Sequence, residues 1–94
     1  MFDIRINEDG RVMLKGRLDA SQADKARAVL DTIDKSCVVD FKELTYISSA
    51  GLGELLGLQK RLMDAGEGLT LVNFNEHIRD IFRYAGFHTI FEME

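Results

Sequence analysis

Apolar and polar residues alternate from Phe2 to Asn7, the period of a strand with one buried face. Asp9-Gly10 supplies a hairpin turn signal. Val12 and Leu14 then resume the alternation from Arg11 to Gly16, with Arg11, Met13 and Lys15 outward. The pattern predicts an opening β-hairpin. Next, Asp19 and Ser21 are both good N-cap residues, and Ala26, Val29, Leu30 and Ile33 recur at helical spacing. Residues about 21–34 therefore read as an amphipathic helix. The nearly continuous apolar run Cys37-Val38-Val39-Asp40-Phe41 fits a central strand covered on both faces.

Thr45 to Ala50 carries neither period, and Ser48-Ser49 offers two N-caps. A helix from about Gly51 to Ala65 follows, with Leu52, Leu55, Leu56, Leu62 and Met63 on its apolar side and Gly66 and Gly68 to stop it. Leu69 to Val72 is a strand. Ile78, Ile81, Phe82 and Ala85 mark one face of a short helix closed by Gly86, and His88 to Met93 is a last strand or an extended tail. The order ββαβαβα implies one compact α/β domain over residues 1–94, with a mixed β-sheet and packed helices. Parallel pairing would run through right-handed crossovers beside an antiparallel hairpin.

Composition narrows the function. The 94 residues suffice for one core. Sixteen acidic against twelve basic residues give a net charge of −4, which argues against non-specific binding to nucleic acid or an anionic membrane. No hydrophobic run exceeds three residues, and Met1-Phe2-Asp3 lacks the basic start of a secretory signal. The single Cys37 suits a reducing cytoplasm, so a cytoplasmic protein is expected.

Candidate chemistry is sparse. His77, His88 and Cys37 are scattered, without the paired spacing of a metal site, so no metal or cofactor is expected. Ser49 has Gly51 two residues on but Ile47 two residues before, which fails the nucleophile elbow, and an apolar strand makes Cys37 inert. No enzymatic role is expected. Gly51, Gly53 and Gly57 match no phosphate-loop fingerprint. Gly53 and Gly57, four apart, would instead let their helix approach the sheet. Phe74, Phe82, Phe87 and Phe91 read as packing, Arg79 and Arg83 as a solvated face, and Lys60-Arg61 is too short for a nucleic-acid patch. What remains is Thr45 to Gly53. Serine at a helix start usually caps, but a hydroxyl there is also a good seat for a phosphoryl group, whose charge the free N–H groups would stabilise.

At these residues the chain resembles the STAS domain family, most closely the bacterial anti-sigma factor antagonists. The resemblance rests on Val38-Val39-Asp40-Phe41, a loop of Lys42 to Ile47, and Ser48-Ser49-Ala50-Gly51-Leu52-Gly53. Gly16-Arg17-Leu18-Asp19 matches the family's Gly-x-Leu/Ile-Asp, and the resemblance spans essentially the whole chain. It implies that Ser49 is the phosphorylated serine, with Ser48 the second candidate. It also implies that Asp19 and Asp40 are acidic positions near that serine, and that Ser48, Ser49, Ala50, Gly51 and Leu52 belong to the partner-binding surface. The implied partner is an anti-sigma factor that is also a serine kinase with a histidine-kinase-like ATP-binding fold. The unphosphorylated antagonist draws it off the sigma factor, phosphorylation ends the binding, and a serine phosphatase reverses it. Such a transcription regulator would be a monomer or weak dimer. Ser48 departs from the family's usual Asp, leaving two adjacent hydroxyls that could divide or share the cap and acceptor roles. Two other readings stay open: a ligand-binding STAS module, for which Tyr46 is the one stacking aromatic beside residues 48–53, and a non-phosphorylated adaptor such as a STAS subunit of a lipid transporter.

Overall fold

A computed structural model describes residues 1–94. The strands are β1 (Phe2–Ile6), β2 (Val12–Leu18), β3 (Cys37–Ile47), β4 (Leu69–Val72) and β5 (Glu92–Met93). The helices are α1 (Ala23–Leu30), α2 (Ser49–Asp64) and α3 (Glu76–Tyr84), with 3₁₀ turns at Ala20–Gln22 and Phe87–Thr89. The sheet order is β1-β2-β3-β4-β5; β1 runs antiparallel to β2 and every other neighbouring pair is parallel. This is the expected mixed sheet, with β3 at its centre.

The hairpin forms as the alternation requires, Ile4 lying opposite Leu14 and Ile6 opposite Val12. Its turn depends on Gly10, held at φ +86°, a left-handed conformation that glycine adopts without steric cost. One face of the sheet is buried through Val12, Leu14, Leu18, Val39, Phe41, Ile47 and Leu71. Right-handed crossovers between strands laid down in order bring the helices to that face. The other face carries Met13, Lys15 and Arg17 and is largely open, so β3 is flanked by strands but not covered on both sides. An aromatic group closes one end of the core: Phe74 stacks on Phe41 at 4.6 Å between ring centroids, and Phe82 meets both edge-on.

The structure changes four details. First, β2 and β3 run further than their alternation suggests, to Leu18 and Ile47. Their register shifts twice, between Met13 and Lys15 and between Gly16 and Arg17, and each shift interrupts the period of two. Second, the segment 21–34 divides. A 3₁₀ turn precedes α1, the helix stops at Leu30, and Ile33 is buried from the loop beyond. Third, Met63 and Ala85 are exposed, whereas Leu58 and Gln59 are buried; Gln59 donates to the Ile90 carbonyl at 3.0 Å and so ties α2 to the last segment. Fourth, Gly53 and Gly57 face open space, and the glycine that lets α2 approach the sheet is Gly51. A β-carbon there would stand 2.7 Å from Leu18 Cγ and 2.9 Å from Ile47 Cγ1.

Candidate functional site

The site forms where β2 and β3 end together. Leu18 pairs with Ile47, the chain leaves both strands, and the Ser48 amide donates to the Leu18 carbonyl at 2.9 Å. That bond fixes the start of α2 beside the 3₁₀ turn at Ala20–Gln22, which packs against α2. Ser48 is extended (φ −90°, ψ 173°), and its Oγ accepts from the Gly51 amide at 3.3 Å. It is therefore the N-cap of α2, filling one of the orphan donors at the helix start.

With the cap supplied by Ser48, Ser49 is the first residue of the helix and is exposed. The first turn of α2 contains no acidic residue, so the positive end of its dipole is left uncompensated within the helix. Ala50 is half-buried, while Gly51 and Leu52 are buried beneath the turn and anchor it to the sheet. The hydroxyl thus stands on a rigid, packed base.

Asp19 lies at the same rim, directly after Leu18. It caps the 3₁₀ turn, accepting from the Ser21 hydroxyl at 2.6 Å and the Ser21 amide at 3.1 Å. The Ser21 hydroxyl, chiefly, holds its carboxyl below the usual carboxylate value, and Arg17 adds to that effect. Asp19 is therefore ionised at neutral pH, with its charge beside the α2 start. The Arg17 guanidinium lies over the Tyr46 ring, 4.4 Å from the centroid. No motif in the chain signals this pair, because it depends on Arg17 and Tyr46 being cross-strand partners.

Asp40 is not brought to this group. It sits seven residues before Ile47 on β3, roughly 20 Å along the strand, at about 3.3 Å per residue. Its side chain belongs to a different structure. Oδ2 accepts from Arg11 at 3.0 Å and from Asn73 at 2.9 Å, and Oδ1 accepts from the Lys42 amide at 2.8 Å. Burial raises its pKa, but the Lys42, Asn73 and Arg11 bonds outweigh that and hold it below the ordinary value. Asp40 thus joins β2, β3 and the end of β4, and it fixes the backbone where β3 departs from regular alternation.

The remaining polar groups have structural work. Arg27 and Glu54 pair across α1 and α2 through two bonds of 2.9 and 2.7 Å. Arg61 donates to the Leu30 and Ile33 carbonyls at 2.9 and 2.6 Å, closing the end of α1. Arg79 lies over Phe74 and Arg83 pairs with Asp80. His77 and His88 are exposed on α3 and the following turn, and burial pushes the half-buried Cys37 thiol up. No three His, Cys, Asp or Glu side chains gather to hold a metal ion.

A family model described as "Mlab, STAS domain" matches residues 4–92. BtrV of Bordetella bronchiseptica, provisionally named an anti-sigma factor antagonist, is 34% identical over 82 residues, covering 83% of this chain and 71% of its own. The anti-sigma factor antagonist SpoIIAA in its unphosphorylated form superposes with a TM-score of 0.72 at 21% identity, covering 100% of this chain and 87% of that one. The phosphorylated form from Bacillus gives 0.70 at 21% identity, covering 100% and 91%. A sulfate transporter family protein from Wolinella succinogenes gives 0.73 at 20% identity, covering 85% and 68%. The three superpositions agree on the fold and do not separate antagonist from transporter.

Proposed function

The chain belongs to the STAS domain family, and we propose that it works as an anti-sigma factor antagonist switched by phosphorylation of Ser49. One observation carries the reading. Ser48 takes the capping role and leaves the Ser49 hydroxyl free and exposed on the first turn of α2. The 34% identity to BtrV supports it.

In this reading the unphosphorylated rim of Asp19, Ser48, Ser49, Ala50, Gly51 and Leu52 engages an anti-sigma factor that is also a serine kinase, and the sigma factor is released. Asp40, distant from the rim, supports the strand that carries it and does not join the contact. The kinase transfers a phosphoryl group to Ser49 Oγ; a serine phosphatase removes it. The setting is the cytoplasm. The phosphate brings roughly −1.5 to −2 charges near pH 7. Inside the domain the helix dipole offsets that charge, so the fold persists. At the interface the same charge must lose its water against a surface shaped for a hydroxyl, at a cost of about 2–5 kcal/mol.

The test is a pull-down with wild-type and Ser49→Glu protein as baits. A partner with a histidine-kinase-like ATPase domain, retained by the first and lost by the second, supports the reading. Equal retention by both baits would sink the phosphoswitch. Capture of a membrane transport ATPase by both would assign the chain to a transporter, the role suggested for this fold by the Wolinella protein.

A further inference from the structure

β1 is an edge strand, and its main chain divides its hydrogen bonds between two sides. The Met1 carbonyl accepts from the Arg17 amide at 2.8 Å and the Asn7 amide donates to the Arg11 carbonyl at 2.9 Å. In an antiparallel pair the residues turned toward the neighbour alternate. Met1, Asp3, Arg5 and Asn7 therefore face β2, and the N–H and C=O groups of Phe2, Ile4 and Ile6 point out of the sheet. One of these groups is already used from outside: Lys25 of α1 donates to the Phe2 carbonyl at 2.8 Å. The same ammonium stands 4.0 Å from Asp3. No side chain bonds to the outward groups of Ile4 or Ile6; Ile6 is 42% exposed, whereas Ile4, with its side chain in the core, is 7% exposed.

We infer that this edge is a self-association surface, pairing β1 antiparallel with β1 of a second copy about a two-fold axis at Ile4. The charge pattern of β1 is complementary to itself in this register. With Ile4 opposite the second copy's Ile4, Phe2 falls opposite Ile6 and Asp3 falls opposite Arg5. The symmetry repeats each of these pairs. Both charged pairs are of opposite sign, and the apolar residues meet only apolar residues. The outward groups of Phe2, Ile4 and Ile6 are the ones such a ladder uses, and it joins two five-stranded sheets into one of ten. Opposite charges across strands stabilise the register, and like charges would oppose it. Isologous pairing of this kind closes on itself as a dimer and leaves the second edge, β5, untouched.

Lys25 sets the strength. Its bond to the Phe2 carbonyl competes with the second copy's Ile6 amide, so the dimer forms only as the ammonium moves aside. A lysine on a free edge is a common guard against strand pairing. Here the guard covers the Phe2 end of the strand and leaves the Ile6 end open, which gives a weak, reversible dimer at the small end of the interface range. The α2 rim is not part of this surface, and the inference does not rest on the phosphoswitch.

The test is sedimentation equilibrium with charge variants of the full chain. Wild type should pass from monomer to dimer as concentration rises. Arg5→Asp and Asp3→Arg each place like charges opposite one another, so each alone should associate roughly tenfold more weakly. Mixed together they restore opposite charges at every pair and should form a heterodimer, while Lys25→Ala should tighten wild-type association. Thermal unfolding of each variant reports whether the fold is kept, and the mixing experiment excludes misfolding as the cause of weaker association. Wild type that stays monomeric at millimolar concentration overturns the proposal. So does a mixture no better associated than its components, or association abolished by Met63→Lys and indifferent to Arg5→Asp.

Discussion

A β-carbon on Gly51 would lie 2.7 Å from Cγ of Leu18, inside the distance any real pair of such atoms keeps. The obstacle is the branch point of a fully buried leucine, and that atom cannot swing away. Gly51→Ala should therefore destabilise the domain by about 1–3 kcal/mol through overpacking. Gly53→Ala and Gly57→Ala, which meet nothing within 4 Å, should each stabilise it by about 0.5–1 kcal/mol. Urea unfolding midpoints of the three variants distinguish the packing glycine from the two exposed ones.

Ser48 and Ser49 should separate in the same way. Ser48→Ala removes the cap and should cost about 0.5–2 kcal/mol of stability while leaving the phosphoryl acceptor in place. Ser49→Asp adds a carboxylate to an uncompensated helix start and should raise stability by about 0.3–1 kcal/mol while weakening partner binding. Denaturant unfolding set beside phosphate incorporation by mass spectrometry checks the pair. Full incorporation into Ser49→Ala protein would move the acceptor to Ser48.

Asp40 makes the domain sensitive to acid. Its folded pKa lies below the ordinary 3.8, so the native state holds the carboxylate ionised after the unfolded chain has begun to protonate. The stability it contributes is complete above the unfolded value and is lost as pH falls through the folded one. Asp40→Asn removes the charge from the Arg11 and Asn73 bonds and should cost about 1–3 kcal/mol at pH 7. The gap between variant and wild type should narrow below about pH 4. Unfolding free energies measured at pH 7, 5 and 3 would reveal it, and a gap constant with pH would contradict the assignment.

Arg61 should matter more than its surface position suggests. Its two terminal nitrogens donate to the carbonyls of Leu30, which also accepts from the Ile33 amide, and of Ile33 in the loop beyond α1. Arg61→Ala should cost about 1–2 kcal/mol, and Arg61→Lys should recover little because an ammonium cannot reproduce the fork. Amide exchange localised to α1 is the direct readout.

Much of this architecture could be read from the chain, and the exceptions share a physical cause. The hairpin, β4 and the two later helices each carry a period that locates them, although Ile6, Met63 and Ala85 fall on the apolar side and are exposed. The second half of β3 carries no such period. From Phe41 to Ile47 its residues run buried, exposed, exposed, buried, exposed, half-buried, buried, because the register shifts against β2 break the alternation. Ile33 misled in the opposite sense, keeping helical spacing with Val29 and Leu30 although the helix had ended. At the site, the serines and Asp19 were legible because they follow the last paired residues of two adjacent strands. Asp40 stands close to them in the motif but far along the strand in space. Arg17 over Tyr46 and Lys25 on Phe2 were invisible, since the first depends on which strands become neighbours and the second on where α1 packs against β1.

The strand order has a consequence for how the chain is made. Every strand lies beside its predecessor in sequence, so no strand must be inserted between two already in place. A ribosome releasing this polypeptide would deliver the hairpin first, then each crossover unit onto a waiting edge. The sheet can grow in step with synthesis at about 5–20 residues per second. The carboxy-terminal segment completes the fold last, adding β5 beside β4, the Ile90 carbonyl for Gln59, and Phe91 against Phe82 at the aromatic end of the core.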